Sequence, residues 1–335
     1  MKKSLITSVA ALALGLSAFA ETNMVTKLKN GQLIKYSVEE IEEVFFEDYV
    51  DESDTPLKFT ILTDSTAAVA EDLAYVSLTD IVTIPSKVKI DGKMYNVVSI
   101  EDYTFSGCKD ITGIILPNSI TKFGESAFAD CENLTSIEIP EGVTYINVGA
   151  FENCTSLTSV KLPSTVTSIG NFAFRGCKLL SSIELPSNVL NIGEGAFFRN
   201  EALVTIKIPS SVTTIRDNAF TFCTAMTSIE VASDNQNYAS VDGVLYNKDK
   251  SILVKCPAKL SGSFAVPSTV TTISSSAFDG CEGLTSVEIP SSVTTIMKYA
   301  FRNCTNLDIT IDNSESNVTV QLDAFQNCKS VTWKK

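Results

Sequence analysis

Residues 134–154 read LTSIEIPEGVTYINVGAFENC, and residues 157–177 repeat the pattern as LTSVKLPSTVTSIGNFAFRGC. In the first copy, the apolar residues Ile137 and Ile139 alternate with polar ones, which is the periodicity of a β-strand. Pro140 has no backbone N–H to donate to a strand ladder, so the strand is predicted to end there. Each copy therefore predicts one short strand followed by a turn.

A spacing of 23 residues governs most of the chain. After the proline, a Val-x-x-Ile pair predicts a second short strand or extended turn, and an Ala-Phe or Thr-Phe pair follows it. The phenylalanines at this position are Phe105, Phe128, Phe151, Phe174, Phe197 and Phe220, and after an interruption Phe278, Phe301 and Phe325. Three residues later stands Cys108, Cys131, Cys154, Cys177, Cys223, Cys281, Cys304 or Cys328. Asn200 replaces the cysteine in one unit.

One such unit cannot bury its apolar residues alone, whereas stacked units share a continuous core. The sequence therefore predicts a repeat solenoid of leucine-rich-repeat type, mainly β, with parallel stacked strands, short irregular or helical turns and a period of 23 residues. Over roughly residues 84 to 333, the consensus Leu-x-x-Ile-x-Leu-Pro-x-x-Val-x-x-Ile-x-x-x-Ala-Phe-x-x-Cys resembles the BspA-like (Treponema pallidum-type) leucine-rich repeats of exported bacterial surface proteins. The resemblance implies adhesion or host-protein binding, a Bacteroidetes source and no cofactor. It supplies no ligand and no shared catalytic residues.

The N-terminal region predicts export. Lys2 and Lys3 precede an apolar run that ends in Ala18-Phe19-Ala20, which is the pattern of a secretory signal peptide. The run is too short for a membrane span. The predicted domains are a signal peptide at 1–20, a short β module at 21–50, an acidic linker at 51–57, an N-terminal cap with the first partial repeat at 58–104, and the solenoid at 105–335.

Two turns mark predicted hairpins outside the regular repeats. Asn30-Gly31 separates two extended pieces in the β module, which resembles a module that follows the signal peptide in exported Bacteroidetes proteins. Asp91-Gly92 marks a hairpin in the cap.

An insert at about residues 232–265 interrupts the period with 12 extra residues between Val231 and Val266. Apolar runs at 242–246 and 252–254 flank a polar turn, which predicts a protruding hairpin. Two interpretations remain open, because insertions in repeat arrays often lie on a binding face. The hairpin is either a structural variant of one repeat or a specific binding element.

Composition narrows the possible functions. The net charge of −13 disfavours nucleic acid as a partner. The chain contains no histidine, so Ser-His and Cys-His catalysis is excluded. A carboxylate pair, Glu138 and Glu184, is conceivable for sugar hydrolysis, but Lys161 between them would keep both ionised. We therefore predict a protein that is not an enzyme.

The candidate metal ligands and the cysteines each allow two interpretations. Asp234, Asn235 and Asn237 could supply calcium oxygens, although a plain turn is favoured and no metal site is predicted. Cysteines at one repeat position lie side by side in a stack, where the disulfide geometry is poor. A ladder of buried free thiols is favoured, and some disulfide pairing stays open.

The predicted binding face follows the outward strand positions, where charge alternates in sign from one repeat to the next. Its residues are Ser136, Glu138, Ser159, Lys161, Ser182, Glu184, Thr205, Lys207, Ser228 and Glu230. Opposite charges on adjacent strands attract, so the rows either align the sheet or form a polar docking face. The predicted function is noncatalytic binding of a protein partner, such as a host extracellular protein, by a chain that is secreted, on the cell surface or in the periplasm. The alternative is a carbohydrate-binding or carbohydrate-processing component of a nutrient-uptake system.

Overall fold

The computed structural model describes residues 23–27, 33–37 and 49–334. The predicted signal peptide at 1–20 lies outside these residues, as does the Asn30-Gly31 turn. Strand β1 (Asn23–Lys27) pairs antiparallel with β2 (Leu33–Ser37), as the hairpin prediction requires. Within the described residues, no helix is long and apolar enough to cross a membrane.

The N-terminal cap is a sheet of short strands, namely β3 (Val50–Asp51), β4 (Phe59–Ile61), β5 (Thr66–Val69), β7 (Lys87–Ile90) and β8 (Lys93–Ile100). They pair in the order β3-β7-β8-β5-β4. The hairpin predicted at Asp91-Gly92 is confirmed, since β7 and β8 pair antiparallel and both turn residues have positive φ. The predicted linker at 51–57 differs from the structure, because Asp51 pairs with Lys89 and Leu57 is buried in the core.

The strands before the prolines form the first face of the solenoid, which we call the strand face. They are β6 (Asp80–Thr83), β9 (Ile111–Ile115), β11 (Ser136–Glu138), β13 (Ser159–Lys161), β16 (Thr205–Ile208), β18 (Ser228–Val231), β22 (Gly262–Ala265), β24 (Leu284–Ile289), β26 (Asp308–Ile311) and β28 (Ser330–Trp333). They are parallel, and Glu138 lies opposite Lys161. No strand forms at residues 181–186, so the β13 and β16 sheets are separate.

The Val-x-x-Ile segments form a second parallel face. Its strands are β10 (Lys122–Phe123), β12 (Tyr145–Ile146), β14 (Ser168–Ile169), β15 (Asn191–Ile192), β17 (Thr214–Ile215), β21 (Ile252–Lys255), β23 (Thr272–Ile273), β25 (Thr295–Ile296) and β27 (Thr319–Val320). Helical structure in the described chain is limited to 3-10 turns at Glu52–Asp54, Leu73–Ser77 and Glu315–Asn317. The predicted solenoid with stacked parallel strands is confirmed.

The Phe-x-x-Cys segments form the third face, a column of tight turns. Each turn bonds to the next through its backbone, as in the 3.0 Å bond from the Phe128 amide to the Ala150 carbonyl. Inside, the rings from Phe105 to Phe220 stack with centroids 5.2–5.8 Å apart. Tyr75 of the cap continues this stack beyond Phe105.

All nine cysteines are free thiols, in agreement with the thiol-ladder prediction. Most ladder thiols donate a hydrogen bond to the carbonyl of the ladder Phe in the preceding repeat. For example, Cys131 Sγ lies 3.1 Å from the Phe105 carbonyl oxygen. Burial raises the pKa of the Cys223 thiol to about 12 and that of Cys108 to about 11.

The insert belongs to the stack and does not protrude. Strands β19 (Tyr238–Val241) and β20 (Val244–Asn247) form a hairpin, and β20 pairs antiparallel with β21. Strand β21 then pairs parallel with β23 as a rung of the second face. Leu245 and Tyr246 are buried, so the prediction of a protruding element is wrong. The insert supplies apolar side chains that close the end of one stack and begin the next.

Candidate interaction surfaces

The predicted polar face is largely exposed, but its charges do not all pair. Lys161 forms an ion pair with Glu138, and this carboxylate raises the pKa of the Lys161 ammonium. Within the described chain no other ion pair joins the row, although the alternating signs predict one between every two neighbours. The missing strand at 181–186 interrupts the ladder in which Glu184 would have stood between two lysines.

The polar face ends at the insert. The insert turn at Asp242-Gly243 lies against β18, where the Ile229 amide donates to the Gly243 carbonyl over 2.9 Å. A Cβ atom on Gly243 would lie 2.9 Å from the Cβ of Ser228, so the turn approaches this serine closely. Ser228 is consequently half-buried, whereas Ser136, Ser159 and Ser182 are exposed.

The candidate calcium residues form a turn held by one buried carboxamide. Asn235 Nδ2 donates to the carbonyls of Pro209 at 2.7 Å and Val212 at 3.1 Å. Its Oδ1 accepts from the amides of Asn237 and Tyr238, each at 2.8 Å. The Asn235 side chain, a candidate calcium ligand, therefore fixes the start of the insert.

A stripe of aromatic rings and guanidinium groups crosses the turn face, and sequence reasoning missed it. We call it the arginine–aromatic stripe, and it comprises Phe172, Arg175, Phe198, Arg199, Phe222, Arg302 and Tyr299. Arg199 lies 5.7 Å from the Phe198 ring and 5.8 Å from the Phe222 ring. Arg302 then bridges Phe222 at 5.6 Å to Tyr299 at 4.3 Å, so the stripe continues from one stack to the next.

Unusual backbone positions hold several residues of the stripe. Arg199 and Phe222 both have a φ of 60°, a left-handed conformation that bulky residues rarely adopt. Seven other repeats carry Gly, Asn or Asp at this position, namely Gly107, Asp130, Asn153, Gly176, Gly280, Asn303 and Asn327. Phe172 and Tyr299, also with positive φ, occupy a second such position four residues earlier in the repeat. Backbone strain of this kind, about 1–3 kcal/mol per residue, is typical of sites kept for function.

The ends of the stripe are neutralised, whereas its centre is cationic. Arg175 pairs with Glu152 at 2.9 Å, and Arg302 pairs with the fully buried Asp279 carboxylate at 2.5 Å. Burial raises the pKa of Glu152 despite its arginine partner. Arg199 is exposed and has no carboxylate within 4.0 Å in the described part of the chain. An exposed guanidinium between rings is therefore available to a partner.

The sequence carries a signal for this stripe. A turn position that needs positive φ is recognisable from its glycines and asparagines, so a bulky Arg or Phe in that register breaks the local pattern. The departures at Arg199 and Phe222 could have been identified once the repeats were aligned.

The repeats match one known family over most of the chain. The chain belongs to the family described as BspA type leucine-rich repeat region, with matches over residues 85–181, 149–247 and 254–333 in six copies. The resemblance to BspA-like repeats is thereby confirmed. None of the curated proteins compared with the chain matches it.

Solved structures of bacterial leucine-rich repeat proteins share the fold. A leucine-rich cell surface protein from Faecalibacterium prausnitzii A2-165 is 24% identical, with a TM-score of 0.54 over 84% of this chain and 96% of its own. A leucine-rich repeat protein from Bacteroides ovatus ATCC 8483 is 25% identical, with a TM-score of 0.55 over 82% and 79%. The pneumococcal vaccine antigen PcpA is 19% identical, with a TM-score of 0.57 over 94% and 82%.

Proposed function

We propose that this chain is an exported, noncatalytic interaction protein that binds a protein partner through the arginine–aromatic stripe. The observation that carries the proposal is the pair of bulky residues, Arg199 and Phe222, at a left-handed turn position where the other repeats use Gly, Asn or Asp. Arginine and aromatic residues dominate the energetic centres of protein interfaces. The central Arg199 offers five donors to an acidic or carbonyl-rich partner surface.

Two further features favour a protein over a carbohydrate partner. Guanidinium groups already lie over Phe198 and Phe222, so they cover ring faces that a sugar would need for stacking. The stripe also runs along the turns of several repeats, which suits an extended partner surface better than a single sugar ring. For the stripe, these features favour a protein ligand over a carbohydrate.

The polar strand face is proposed as a secondary contact surface. Its residues are the ten named from Ser136 to Glu230, which are exposed apart from Ser228. Lys207 and Glu184 form no ion pair in the described chain, so their charges are open to a partner. A charged rim of this kind steers association more than it holds the complex.

Export to the cell surface or the medium is part of the proposal. The features in its support are the lysines and apolar run at residues 1–20 and the description of the Faecalibacterium structure as a cell surface protein. Protease treatment of intact cells that express the chain tests it. Cleavage without lysis would support surface exposure, and protection until the outer membrane is opened would indicate the periplasm.

Replacing stripe residues by those of other repeats tests the binding surface. In the double variant Arg199→Asn/Phe222→Asn, both turn positions receive a residue that the equivalent positions already hold at Asn153 and Asn303. The variant should fold. Surface plasmon resonance against a panel of immobilised host extracellular-matrix proteins would measure its binding beside wild type.

The strand face provides the matched control, the double variant Lys161→Glu/Lys207→Glu. We expect wild type to bind at least one panel protein, the stripe variant to bind it at least about 30-fold more weakly, and the strand-face variant to retain most of its affinity. Equal affinities for wild type and the stripe variant would exclude the stripe as the binding surface. If only the strand-face variant lost affinity, the polar face would be the principal site instead.

A further inference from the structure

One turn of the solenoid is missing where the insert joins the two stacks. The chain passes from β21 through Cys256 and Pro257 directly towards β22, without an Ala-Phe turn. The ring stack that runs to Phe220 therefore has no next ring, and a new stack begins at Phe278. The omission leaves a cavity of about 350 Å³ between the Phe220 turn and the Ser274-Ser275 segment.

Backbone N–H groups at this cavity lack an acceptor in the part of the chain that the structure describes. In complete repeats the amide of the ladder Phe donates to the next turn, as Phe197 does to the Ala219 carbonyl at 2.9 Å. The amide two residues earlier does the same, as in the 2.9 Å bond from Ser126 to the Val148 carbonyl. The equivalent amides of Asn218 and Phe220 find no acceptor within residues 49–334. Both residues line the cavity.

A buried ammonium group lies on the opposite wall. Lys255 is only 6% exposed, and its Nζ donates to the carbonyls of Ser276 at 2.8 Å and Asp279 at 3.4 Å. No carboxylate lies within 4.0 Å of this Nζ in the part of the chain that the structure describes. The nearby Asp279 carboxylate is bonded to Arg302 instead. A buried cation without a counter-charge is costly, and an anion in the cavity would offset that cost.

The rest of the lining defines the class of ligand. Arg216 lies at the rim, exposed and without an ion pair in the described chain, and Asp217 beside it is the one carboxylate of the lining. Two cations against one carboxylate suit a monoanion, whereas a dianion would be repelled by Asp217. Ile215 and Val254 provide an apolar part of the wall, and Ser274 and Ser275 also line the cavity. The volume is in the range of small-molecule sites.

From these contacts we propose that the cavity binds a small organic monoanion that carries one carboxylate and several hydroxyl groups, of the size of a hexuronic acid. The carboxylate accepts hydrogen bonds from the Asn218 and Phe220 amides and is attracted by Lys255 and Arg216. The hydroxyls donate to Asp217 and exchange hydrogen bonds with the serines. The site is independent of the arginine–aromatic stripe, since no stripe residue lines the cavity.

Titration with glucuronate tests the site, with glucose as the neutral probe of the same ring size and inorganic phosphate as a small anion of higher charge. Isothermal calorimetry would give the affinities, and amide chemical shifts of the folded mature protein would locate binding. We expect glucuronate to bind, glucose to show no measurable binding, and phosphate to bind more weakly than glucuronate. The largest shifts should come from the Asn218 and Phe220 amides.

Arg216→Gln is the first variant, because this exposed residue can change without disturbing the core. It should weaken glucuronate binding about tenfold, which corresponds to one lost charge-assisted contact. Lys87→Gln removes an exposed cation of the N-terminal cap, outside the cavity, and should leave the affinity unchanged. Equal binding of glucose and glucuronate, no binding of glucuronate, tighter binding of phosphate, or shifts confined to residues outside the cavity would each overturn the proposal.

Discussion

The stacked phenylalanines give the sharpest test of how this solenoid is stabilised. Phe174 is fully buried, and its ring stacks on Phe151 at 5.4 Å and on Phe197 at 5.6 Å. Truncation of a buried Phe to Ala costs about 3–5 kcal/mol, and two stacked neighbours place Phe174→Ala in the upper part of that range. Urea unfolding followed by circular dichroism would measure the loss.

The same substitution at the end of the stack is the matched control. Phe325 is half-buried and has one stacked neighbour, Phe301 at 5.7 Å. Phe325→Ala should therefore cost only about 1–2 kcal/mol, within the common range for single substitutions. If both substitutions lowered the free energy of unfolding by the same amount, stabilisation by stacked ring neighbours would be refuted.

Three further predictions follow from the ladders. Unreduced, denatured protein should expose nine thiols to a thiol reagent. Native protein should react slowly, and first at the half-buried Cys328. Detection of disulfides by mass spectrometry would contradict this prediction. Burial raises the thiol pKa of Cys108 and Cys223 above the ordinary 9.0. Their contribution to stability is therefore complete below pH 9 and should decline towards pH 11–12. Urea unfolding measured at a series of pH values would detect this decline. The buried carboxamide of Asn200 lacks hydrogen-bond partners in the described chain. The substitution Asn200→Cys should therefore stabilise the fold by about 1–3 kcal/mol, with Thr205→Ser as an exposed control.

The repeat made most of the fold predictable, because the same type of residue recurs at each position of successive repeats. Ile137 and Val160, one period apart, pair across adjacent strands as the spacing requires. Ion pairs between repeats were less predictable, because the alternating charged row forms only the Lys161–Glu138 pair in the described chain. Lys109 with Glu132, Arg175 with Glu152 and Lys178 with Glu201 are each separated by one full period. Equivalent positions in parallel rungs are direct neighbours, so opposite charges one period apart can meet.

The insert was less predictable, because its pairing breaks the period. Ile252 lies opposite Thr272, a spacing shorter than the repeat, and an antiparallel hairpin precedes this rung. Local sequence identified the β20–β21 hairpin through its apolar runs and the polar turn between them, but it did not identify the β19–β20 hairpin that turns at Asp242-Gly243. Whether such a hairpin protrudes or enters the stack depends on which core surface is left uncovered, and that surface exists only in the folded array.

The missing turn also explains how the arginine–aromatic stripe passes from one stack to the next. In complete repeats every turn bonds to the next, so the turn face offers only side chains to a ligand. Where the turn is omitted, the Phe222 ring packs near Gly280 and lies 5.6 Å from the Arg302 guanidinium. The same omission leaves the amides of Asn218 and Phe220 without acceptors in the described chain. The omission of one turn thus joins the two parts of the stripe and opens the donor-rich cavity. Restoring an Ala-Phe turn at this place should close the cavity and separate the stripe into two parts.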